Sequence, residues 1–406
     1  MTKKFLPYGR QSIEQDDIDA VVEALKGDYL TTGPKVAEFE AVLSAKTGAE
    51  YSVVCNSGTA ALHLAAIAAG FGPGDCIIVP TITFLASANA MAFTGAEVCF
   101  ADCDPETGLM RPKDLMSAIQ RIKTAGRKPR GVIAVHFSGQ TCDMPAIHAI
   151  ARKEGMIIIE DACHALGSRH GPNLEAQTGD CHWSDMACFS FHPVKTIAMG
   201  EGGAVTTNDP KIDERLRLAR NHGMSRDQEN FTSKEAGLDI SGDWGLWYYE
   251  MQDPGYNYRA CDLQCALGIS QLGKLEKFAT KRRALRDRYY NFASELPSGV
   301  RLIGRAAECD PCAHLMTALF DDDFLGLGRN AVMSSLREMG IGTQVHYTPV
   351  HLQPYYRRMC PDLALEGASE FYRKCLTLPL FSDMELSDVD RVIAALRKVA
   401  AKGTER

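Results

Sequence analysis

Two hydrophobic periodicities alternate along the first 160 residues. Short runs of consecutive apolar residues, typical of buried strands, are separated by segments whose apolar positions recur at helical spacing. Strands separated by helices pair in parallel through right-handed crossovers, so this pattern predicts an α/β fold with a mostly parallel central sheet sandwiched by helices. The predicted helices cover 12–26, 35–47, the stretch from the polar turn at 56–59 to about 69, 84–93, 112–123 and 144–153, and the predicted strands cover 51–54, 76–79, 98–101, 131–136 and 156–160.

The pattern changes beyond residue 262. One continuous helical register extends over 263–296 and contains many Lys and Arg residues, which at this spacing predict a solvated helix face. We therefore expect a large domain over 1–270, joined by this long helix to a smaller C-terminal α/β domain over 271–406. The smaller domain is predicted to contain strands over 313–320 and 343–347, a helix over 329–339, and helices near 369–376 and 387–401.

Composition and charge exclude several classes of protein. With 406 residues, 45% of them hydrophobic, the chain can bury a large core. A net charge of -7 provides no basic field, so neither nucleic acid nor an anionic membrane is expected as a partner. The sequence has no apolar run long enough to span a bilayer, and its first residues lack the apolar core of a signal peptide. We therefore expect a cytoplasmic protein.

The chain contains 14 cysteines, most of them within apolar stretches, where a thiol behaves as a small core residue. This distribution favours reduced thiols in a reducing compartment. Cys309 and Cys312 form a Cys-x-x-Cys pair near His314, but a structural zinc site needs four ligands and no second pair follows at suitable spacing. The sequence therefore predicts no metal site.

A further apolar run over 186–191 also predicts a strand. Four groups of polar or aromatic residues fall where predicted strands end. They are Ser57 to Thr59, Thr83-Phe84, Asp161 to His164, and Ser190 to Lys195. Taken singly, each has a plain structural explanation, such as a helix cap or a lysine in a glycine-rich turn. Ligands of α/β sheets, however, bind beyond the carboxyl ends of the strands, where these groups would meet. An amine, a carboxylate, a helix N-terminus for a phosphate and a flat aromatic surface are together what pyridoxal phosphate requires.

Several longer motifs match one known family over nearly the whole chain. They are Tyr8-Gly9-Arg10, Leu30-Thr31-Thr32-Gly33, Asn56 to Leu62, Pro80 to Phe84, Glu160 to Gly167, Ser190 to Gly203 and Gly255 to Arg259. In these motifs the chain resembles the nucleotide-sugar aminotransferases of the DegT/StrS type. The resemblance implies pyridoxal 5′-phosphate as cofactor and the pyridoxal-phosphate-dependent transferase fold type I, the fold of aspartate aminotransferase.

The resemblance also implies roles for individual residues. Lys195 would bind the cofactor as a Schiff base and then act as the catalytic base, and Asp161 would pair with the ring nitrogen. Asn257 would reach the cofactor phosphate from a second subunit, which makes the expected oligomer a homodimer with shared active sites. The other implied cofactor contacts are Gly58, Thr59, Ser190, Phe84 on the ring face and His164 near the phenolic oxygen. The implied substrate contacts are Tyr8, Thr31, Ser57, Gln344, His346 and Tyr347.

Within the family, the stretches 192–195, 247–252 and 345–356 are similar to transaminases of pseudaminic acid biosynthesis. This similarity implies transfer of an amino group from L-glutamate to C4 of a UDP-linked 4-keto-6-deoxy-2-acetamido sugar. Alternatives are a 3- or 4-aminotransferase for a dTDP- or GDP-keto sugar, a sugar dehydratase, and a non-catalytic relative. The dehydratases carry histidine in place of the Schiff-base lysine, so Lys195 argues against them. By the same resemblance, the polar loop over 225–253 is expected to cover the pocket or the dimer seam.

Overall fold

The computed structural model describes residues 5–321 and 328–404. None of the helices within these ranges is long and apolar enough to cross a membrane. The helices are α1 (Gln15–Lys26), α2 (Pro34–Thr47), α3 (Gly58–Ala68), α4 (Leu85–Phe93), α5 (Pro112–Thr124), α6 (Met144–Glu154), α7 (Pro210–Arg220), α8 (Lys234–Gly237), α9 (Asp262–Gly273), α10 (Leu275–Asn291), α11 (Arg329–Glu338), α12 (Pro354–Met359), α13 (Glu366–Lys374) and α14 (Leu386–Thr404). The strands are β1 (Tyr51–Cys55), β2 (Cys76–Pro80), β3 (Glu97–Ala101), β4 (Pro129–Val135), β5 (Ile157–Asp161), β6 (Arg169–His170), β7 (Ala176–Gln177), β8 (Met186–Ser190), β9 (Gly203–Thr207), β10 (Met224–Ser225), β11 (Glu250–Met251), β12 (Val300–Leu302), β13 (Cys309–Asp310), β14 (Met316–Phe320) and β15 (Cys375–Leu378).

A seven-stranded sheet forms the centre of the fold, in the order β1-β9-β8-β5-β4-β2-β3. Strands β3, β2, β4, β5 and β8 pair in parallel, whereas β9 runs antiparallel to both of its neighbours, β1 and β8. The predicted α/β class with a mostly parallel sheet is therefore confirmed. Because β9 reverses direction between β1 and β8, the carboxyl ends of β1, β2, β5 and β8 all lie at one edge of the sheet, where the four candidate groups meet.

A second sheet follows in the C-terminal part, with β14 antiparallel to both β12 and β15. The apolar core around it contains Leu6 and otherwise buried residues from Leu285 onward. Leu6 reaches this core because the N-terminal segment forms a parallel bridge with Ile341. The N-terminal arm thus packs on the C-terminal part of the chain, and the division of the chain near residue 270 stays a prediction.

The long helix predicted over 263–296 is wrong, because the chain breaks at Lys274 between α9 and α10. Lys274 has non-helical dihedral angles, and its ammonium group lies 2.6 Å from Asp16 and 2.7 Å from the buried Asp17. Asp17 also explains why α1 begins at Gln15 and not after Ser12, since its carboxylate accepts the backbone N–H of Glu14 as a capping box. The contacts of Asp16 and Asp17 with Lys274 and Glu14 therefore determine both the start of α1 and the break between α9 and α10.

The basic residues of this region do not all lie on a solvated face. Arg282 is only 1% exposed, and its guanidinium donates to the carbonyl oxygens of Ala313, His314, Leu380 and Lys195 at 3.3–3.5 Å. The prediction of a wholly solvated face is therefore wrong. A buried guanidinium is tolerated where several acceptors surround it, and here those acceptors are the carbonyls of three separate segments.

Two predicted elements of the C-terminal part differ from the structure. Residues 343–347 form no strand, because Gln344 makes only an isolated bridge with Thr377. The helix predicted near 369–376 ends at Lys374, and the β-branched and apolar residues that follow form strand β15. The segment 343–347 is therefore a loop against the edge of the small sheet.

The polar loop over 225–253 forms an ordered lobe closed by the pairing of β10 with β11. Phe231, Trp244 and Tyr248 pack together inside it, with ring centroids 4.9–5.5 Å apart. At its base the Glu250 carboxylate accepts hydrogen bonds from Ser233, Thr232, Tyr248 and Gln252. Those from Ser233, Thr232 and Tyr248 lower the pKa of Glu250 to about 2. None of the residues of this lobe lines the cavity described next, so the lobe does not cover the pocket of its own chain.

Candidate active site

The four groups at the strand ends line one cavity of about 670 Å³. This cavity contains Lys195 from the turn after β8 and Asp161 from the end of β5. The remaining predicted site residues along its wall are Tyr8, Ser57, Gly58, Thr59, Phe84, His164, Ser190, Gln344, His346 and Tyr347. Twelve of the fourteen predicted residues therefore share one cavity, although the sequence separates them by more than 300 positions.

One end of the cavity has the features of a phosphate cradle. Ser57 caps helix α3, and its hydroxyl accepts the Ala60 N–H at 3.1 Å. The first N–H groups of a helix have no partner within it and carry the positive end of the dipole, so those of Gly58 and Thr59 suit an anion. A Cβ on Gly58 would lie 2.7 Å from Ser190 Cβ and 3.1 Å from Ser190 Oγ. Glycine is therefore required for Ser190 to approach the helix end.

Gly58→Ala is expected to weaken cofactor binding by about tenfold or more, because relieving this overlap costs about 1–3 kcal/mol and displaces Ser190. The dissociation constant is measured by titrating the apoenzyme with the cofactor. Gly273→Ala is the matched control, since a Cβ there meets no heavy atom within 4 Å. Equal dissociation constants for Gly58→Ala and the wild type would contradict the assignment of the cradle.

Lys195 and Asp161 provide the reactive amine and the carboxylate of the cavity. Burial lowers the pKa of Lys195, and the nearby Cys163 and Asp161 oppose that shift only in part. A lysine with a lowered pKa carries more of the neutral, nucleophilic amine at a given pH. The Asp161 carboxylate is 6% exposed and accepts the Cys163 N–H at 3.2 Å and the Ser87 hydroxyl at 2.6 Å.

The rate at which the apoenzyme takes up the aldehyde cofactor is expected to rise with pH and to level off below 10.5, the ordinary pKa of lysine. Only the neutral amine attacks the aldehyde, and the lowered pKa of Lys195 makes it neutral earlier. The folded pKa lies below the unfolded one, so the free energy of unfolding of the apoenzyme should also rise with pH between these two values. Stopped-flow absorbance measures the uptake, and a rate still rising above 10.5 would contradict the prediction.

His164 and Tyr347 form a hydrogen-bonded pair with a defined direction. Burial, reinforced by the charge of Lys195, holds the pKa of His164 well below its usual value. Its Nδ1 accepts the Ser138 N–H at 3.3 Å, so the neutral ring carries its proton on Nε2 and donates it to the Tyr347 oxygen 3.2 Å away. Tyr347 stays protonated because burial raises its pKa, so its own hydroxyl proton is free for a ligand. Ser138 holds this geometry with a φ of 64°, uncommon outside glycine.

Two further histidines line the cavity. The imidazole of His346 bonds Thr377 at 2.8 Å, and burial lowers its pKa to about 4. His314 lies against His164 with ring centroids 4.4 Å apart, and its buried Nδ1 has no partner among the described residues. Instead of joining a zinc site with the two nearby cysteines, His314 forms part of the cavity wall. The described residues contain no group of three or more His, Cys, Asp or Glu side chains that could hold a metal ion.

Two predicted site residues lie outside the cavity. Asn257 and Thr31 are both exposed, and they form isolated bridges with Asn221 and Cys261. A single chain does not test the role of Asn257, which was assigned to a partner subunit. The contact of Thr31 with substrate likewise stays a prediction.

Sequence reasoning missed several residues of the site. Glu201 and His314 line the cavity although they belong to none of the four predicted groups, and the Ser87 hydroxyl donates to Asp161 from behind it. For Ser87 the signal was its position one helical turn after Thr83, which lies at a strand end. His314 had no such signal, because its approach to His164 depends on the packing of distant segments.

The residues of this cavity fit pyridoxal phosphate. They offer an amine with a lowered pKa, a buried carboxylate, an aromatic ring and a helix N-terminus that a Cβ on Gly58 would crowd. The model of the DegT/DnrJ/EryC1/StrS aminotransferase family matches residues 11–397. The chain belongs to this family. It is therefore an aminotransferase with the pyridoxal-phosphate-dependent transferase fold, and its cofactor is pyridoxal 5′-phosphate.

Relatives in this family match nearly the full length of the chain. The spore coat polysaccharide biosynthesis protein SpsC of Bacillus subtilis (strain 168) is 36% identical over 99% of this chain and 98% of its own. Helicobacter pylori PseC, an aminotransferase involved in the biosynthesis of pseudoaminic acid, has a TM-score of 0.86 at 25% identity, over 98% of this chain and 100% of its own. The putative sugar aminotransferase Spr1654 of Streptococcus pneumoniae, solved in a PLP form, has a TM-score of 0.85 at 26% identity, over 98% of this chain and 99% of its own.

Proposed function

We propose that this aminotransferase transfers an amino group from L-glutamate to C4 of a UDP-linked 4-keto-6-deoxy-2-acetamido sugar, as in pseudaminic acid biosynthesis. The observation that carries the proposal is the position of Tyr8, Gln344, His346 and Tyr347 in the same cavity as Lys195. Hydroxyl, amide and imidazole groups suit a sugar that presents many hydroxyls. The similarity to PseC and the stretches over 345–356 support the choice of sugar.

A second candidate is another nucleotide-linked keto sugar, destined for a surface polysaccharide. It is favoured by the 36% identity to SpsC, which exceeds the 25% identity to PseC. The two candidates share the amino-transfer chemistry and differ in the nucleotide, in the position of the keto group and in the directions of the sugar hydroxyls. They are therefore separated by substrate and not by the catalytic residues.

The residues of the cavity then divide the work. When bound, pyridoxal phosphate would supply an electron sink for the negative charge that develops at the reacting carbon, and it would carry the amino group between the two half-reactions. Lys195 Nζ takes the proton from the α-carbon of the amino donor and later delivers a proton to C4 of the sugar. Asp161 would hold the proton on the ring nitrogen, Phe84 would cover one face of the ring, and the Tyr347 hydroxyl would donate to a ligand oxygen.

The purified enzyme, incubated with glutamate and a panel of UDP-, dTDP- and GDP-linked keto sugars, tests the substrate. We expect amination at C4 of the UDP-linked 4-keto-6-deoxy-2-acetamido sugar, identified by mass and NMR. Amination only of a dTDP-linked 3-keto sugar would contradict the substrate while keeping the aminotransferase. The Lys195→Ala variant, run on the same panel, shows which products need the catalytic amine.

We also propose that the active enzyme is a homodimer in which Asn257 completes the phosphate site of the partner subunit. Asn257 is exposed and lies outside the cavity of its own chain. The neighbouring lobe over 225–253 exposes Ile240, Leu246 and Trp247, and burying such large apolar side chains against a second copy would stabilise the dimer. This lobe would then lie at the dimer seam. We expect the dimer to act in the cytoplasm.

Mixing two inactive variants tests the shared site. In Lys195→Ala/Asn257→Asp mixed dimers, one site carries both changes and the other carries neither. Random assortment makes about half of the dimers mixed, so activity should recover to about a quarter of the wild-type value. Lys195→Ala alone stays inactive because it lacks the catalytic amine. Asn257→Asp alone stays inactive because it places a carboxylate beside the cofactor phosphate. If Asn257 acts within its own chain, mixing restores nothing.

A further inference from the structure

Three buried side chains, those of Thr83, Ser87 and Asp161, form a hydrogen-bonded row. Thr83 Oγ1 lies 2.6 Å from Ser87 Oγ, and Ser87 Oγ lies 2.6 Å from Asp161 Oδ2. Thr83 is 2%, Ser87 0% and Asp161 6% exposed, so water does not compete for these bonds. The backbone N–H of Cys163 binds the second carboxylate oxygen, Oδ1, at 3.2 Å. Both oxygens of the carboxylate are thus held from the protein side.

The row has one direction when Asp161 is ionised. A carboxylate only accepts hydrogen bonds, so Ser87 must donate its single proton to Asp161. The Ser87 oxygen then accepts from Thr83, whose hydroxyl becomes the outer donor. The carbonyl oxygen of Phe84 is a more distant acceptor, 3.4 Å from the Ser87 hydroxyl. The 2.6 Å separation is typical of an O–H donor on a carboxylate, and polarisation along the row strengthens it in a dry environment.

The row also joins two separate elements of the site. Thr83 lies in the turn between β2 and α4 that also carries Phe84, and Ser87 lies in the first turn of α4. Asp161 ends β5, and β4 lies between β2 and β5 in the sheet. A change at Ser87 therefore affects both the rotation of the Asp161 carboxylate and its distance from the Phe84 turn. These are the two protein groups assigned to the nitrogen and to the face of the cofactor ring.

We propose that Ser87, supported by Thr83, is a positioning residue that fixes the orientation of the Asp161 carboxylate toward the cofactor ring. With one lone pair of each oxygen bound on the protein side, the remaining lone pairs are left for the cavity that Asp161 lines. The inference rests on the proposed role of Asp161 at the ring nitrogen. A purely structural role for Ser87 would change the free energy of unfolding but not the spectrum or the affinity of bound cofactor.

The chain offers a matched control at the preceding residue. Ser184 Oγ donates to Glu160 Oε1 at 2.5 Å, and both side chains are buried, but neither lines the cavity. Ser184→Ala and Ser87→Ala therefore each remove one serine–carboxylate bond on adjacent residues of the same strand. Of these two variants, only Ser87→Ala should change the affinity and the absorbance spectrum of the bound cofactor.

The experiment measures the dissociation constant of pyridoxal phosphate and the visible absorbance spectrum of the loaded protein. For Ser87→Ala we expect about tenfold weaker binding, since a hydrogen bond to a charged group is lost, together with a displaced absorbance maximum. Ser87→Thr keeps the hydroxyl and should restore both values to within about threefold in affinity. Thr83→Val removes the outer donor at nearly constant volume and should weaken binding less than Ser87→Ala. Ser184→Ala should leave both values at wild type.

A double-mutant cycle separates this inference from the role of Asp161. If Ser87 acts through Asp161, Ser87→Ala adds no further loss of affinity in an Asp161→Asn background. Full additivity, or wild-type affinity and spectrum in Ser87→Ala, would overturn the inference while Asp161→Asn still impairs binding. If Asp161→Asn changes neither the affinity nor the spectrum of the cofactor, the proposed role of Asp161 at the ring nitrogen is wrong, independently of Ser87. Should Ser87→Ala not fold, Ser87→Cys, a weak donor of similar size, takes its place under the same criteria.

Discussion

Replacing Lys195 by alanine is expected to abolish the visible absorbance of the lysine-bound cofactor and to lower turnover by at least about 10³-fold. General base catalysis alone contributes about 10²–10⁴-fold, and the variant also loses the covalent anchor of the cofactor. The side chain reaches into the cavity, and its removal leaves the described hydrogen bonds of its own backbone in place. The measurements are the absorbance spectrum after incubation with cofactor and the turnover with glutamate and keto sugar.

Lys113→Ala provides the matched control, because Lys113 is exposed on α5, away from the cavity. It should retain the absorbance band and full turnover. An added small alkylamine should restore part of the activity of Lys195→Ala, since it can occupy the vacated volume and move the proton. Undiminished turnover in Lys195→Ala would contradict the assignment of the catalytic amine.

Asp161→Asn is expected to lower turnover by about 10²–10³-fold or more, in line with the loss of one preorganised electrostatic group at a reacting centre. The amide keeps the size of the carboxylate, and its oxygen can still accept the Cys163 N–H. Only the charge and the second acceptor oxygen disappear, so the melting temperature of the apoenzyme should change little compared with the turnover. Steady-state turnover is compared with thermal unfolding of the same preparation.

Asp143→Asn serves as control for this substitution. Asp143 caps helix α6 through its side chain, and asparagine is an equally good N-cap. This variant should match the wild type in both measurements. A turnover of Asp161→Asn within about twofold of the wild type would show that the Asp161 carboxylate takes no part in the chemistry.

The sequence pattern predicts the part of the fold that carries the chemistry. Strand β2 and helix α3 have continuous apolar runs flanked by turn residues, so local periodicity determines both elements. Once the strands are parallel, their carboxyl ends must share an edge, and the meeting of Lys195 with Asp161 follows from topology. Strand β9 was missed because the five residues after a glycine cluster give too short a pattern to assign.

Features that depend on distant contacts were not predictable from the pattern. The break at Lys274 depends on Asp16 and Asp17, more than 250 residues earlier, and nothing in the register over 263–296 indicates it. The partner of Ser87 is 74 positions away, so the position of Ser87 one turn after Thr83 indicates a strand end but does not identify Asp161 as its partner. The loop over 343–347 has the alternation of a strand but finds only one bridge.

The buried guanidinium of Arg282 restricts how the enzyme can open. Its hydrogen bonds hold the peptide of Lys195 together with the segments around Ala313 and Leu380. A hinge motion that pulled the C-terminal sheet away from the cofactor would leave the buried Arg282 guanidinium without hydrogen-bond acceptors, which costs several kcal/mol. Reactants are thus expected to enter and leave through the exposed rim near Phe84 and Gln344, while the floor of the site stays a single rigid piece.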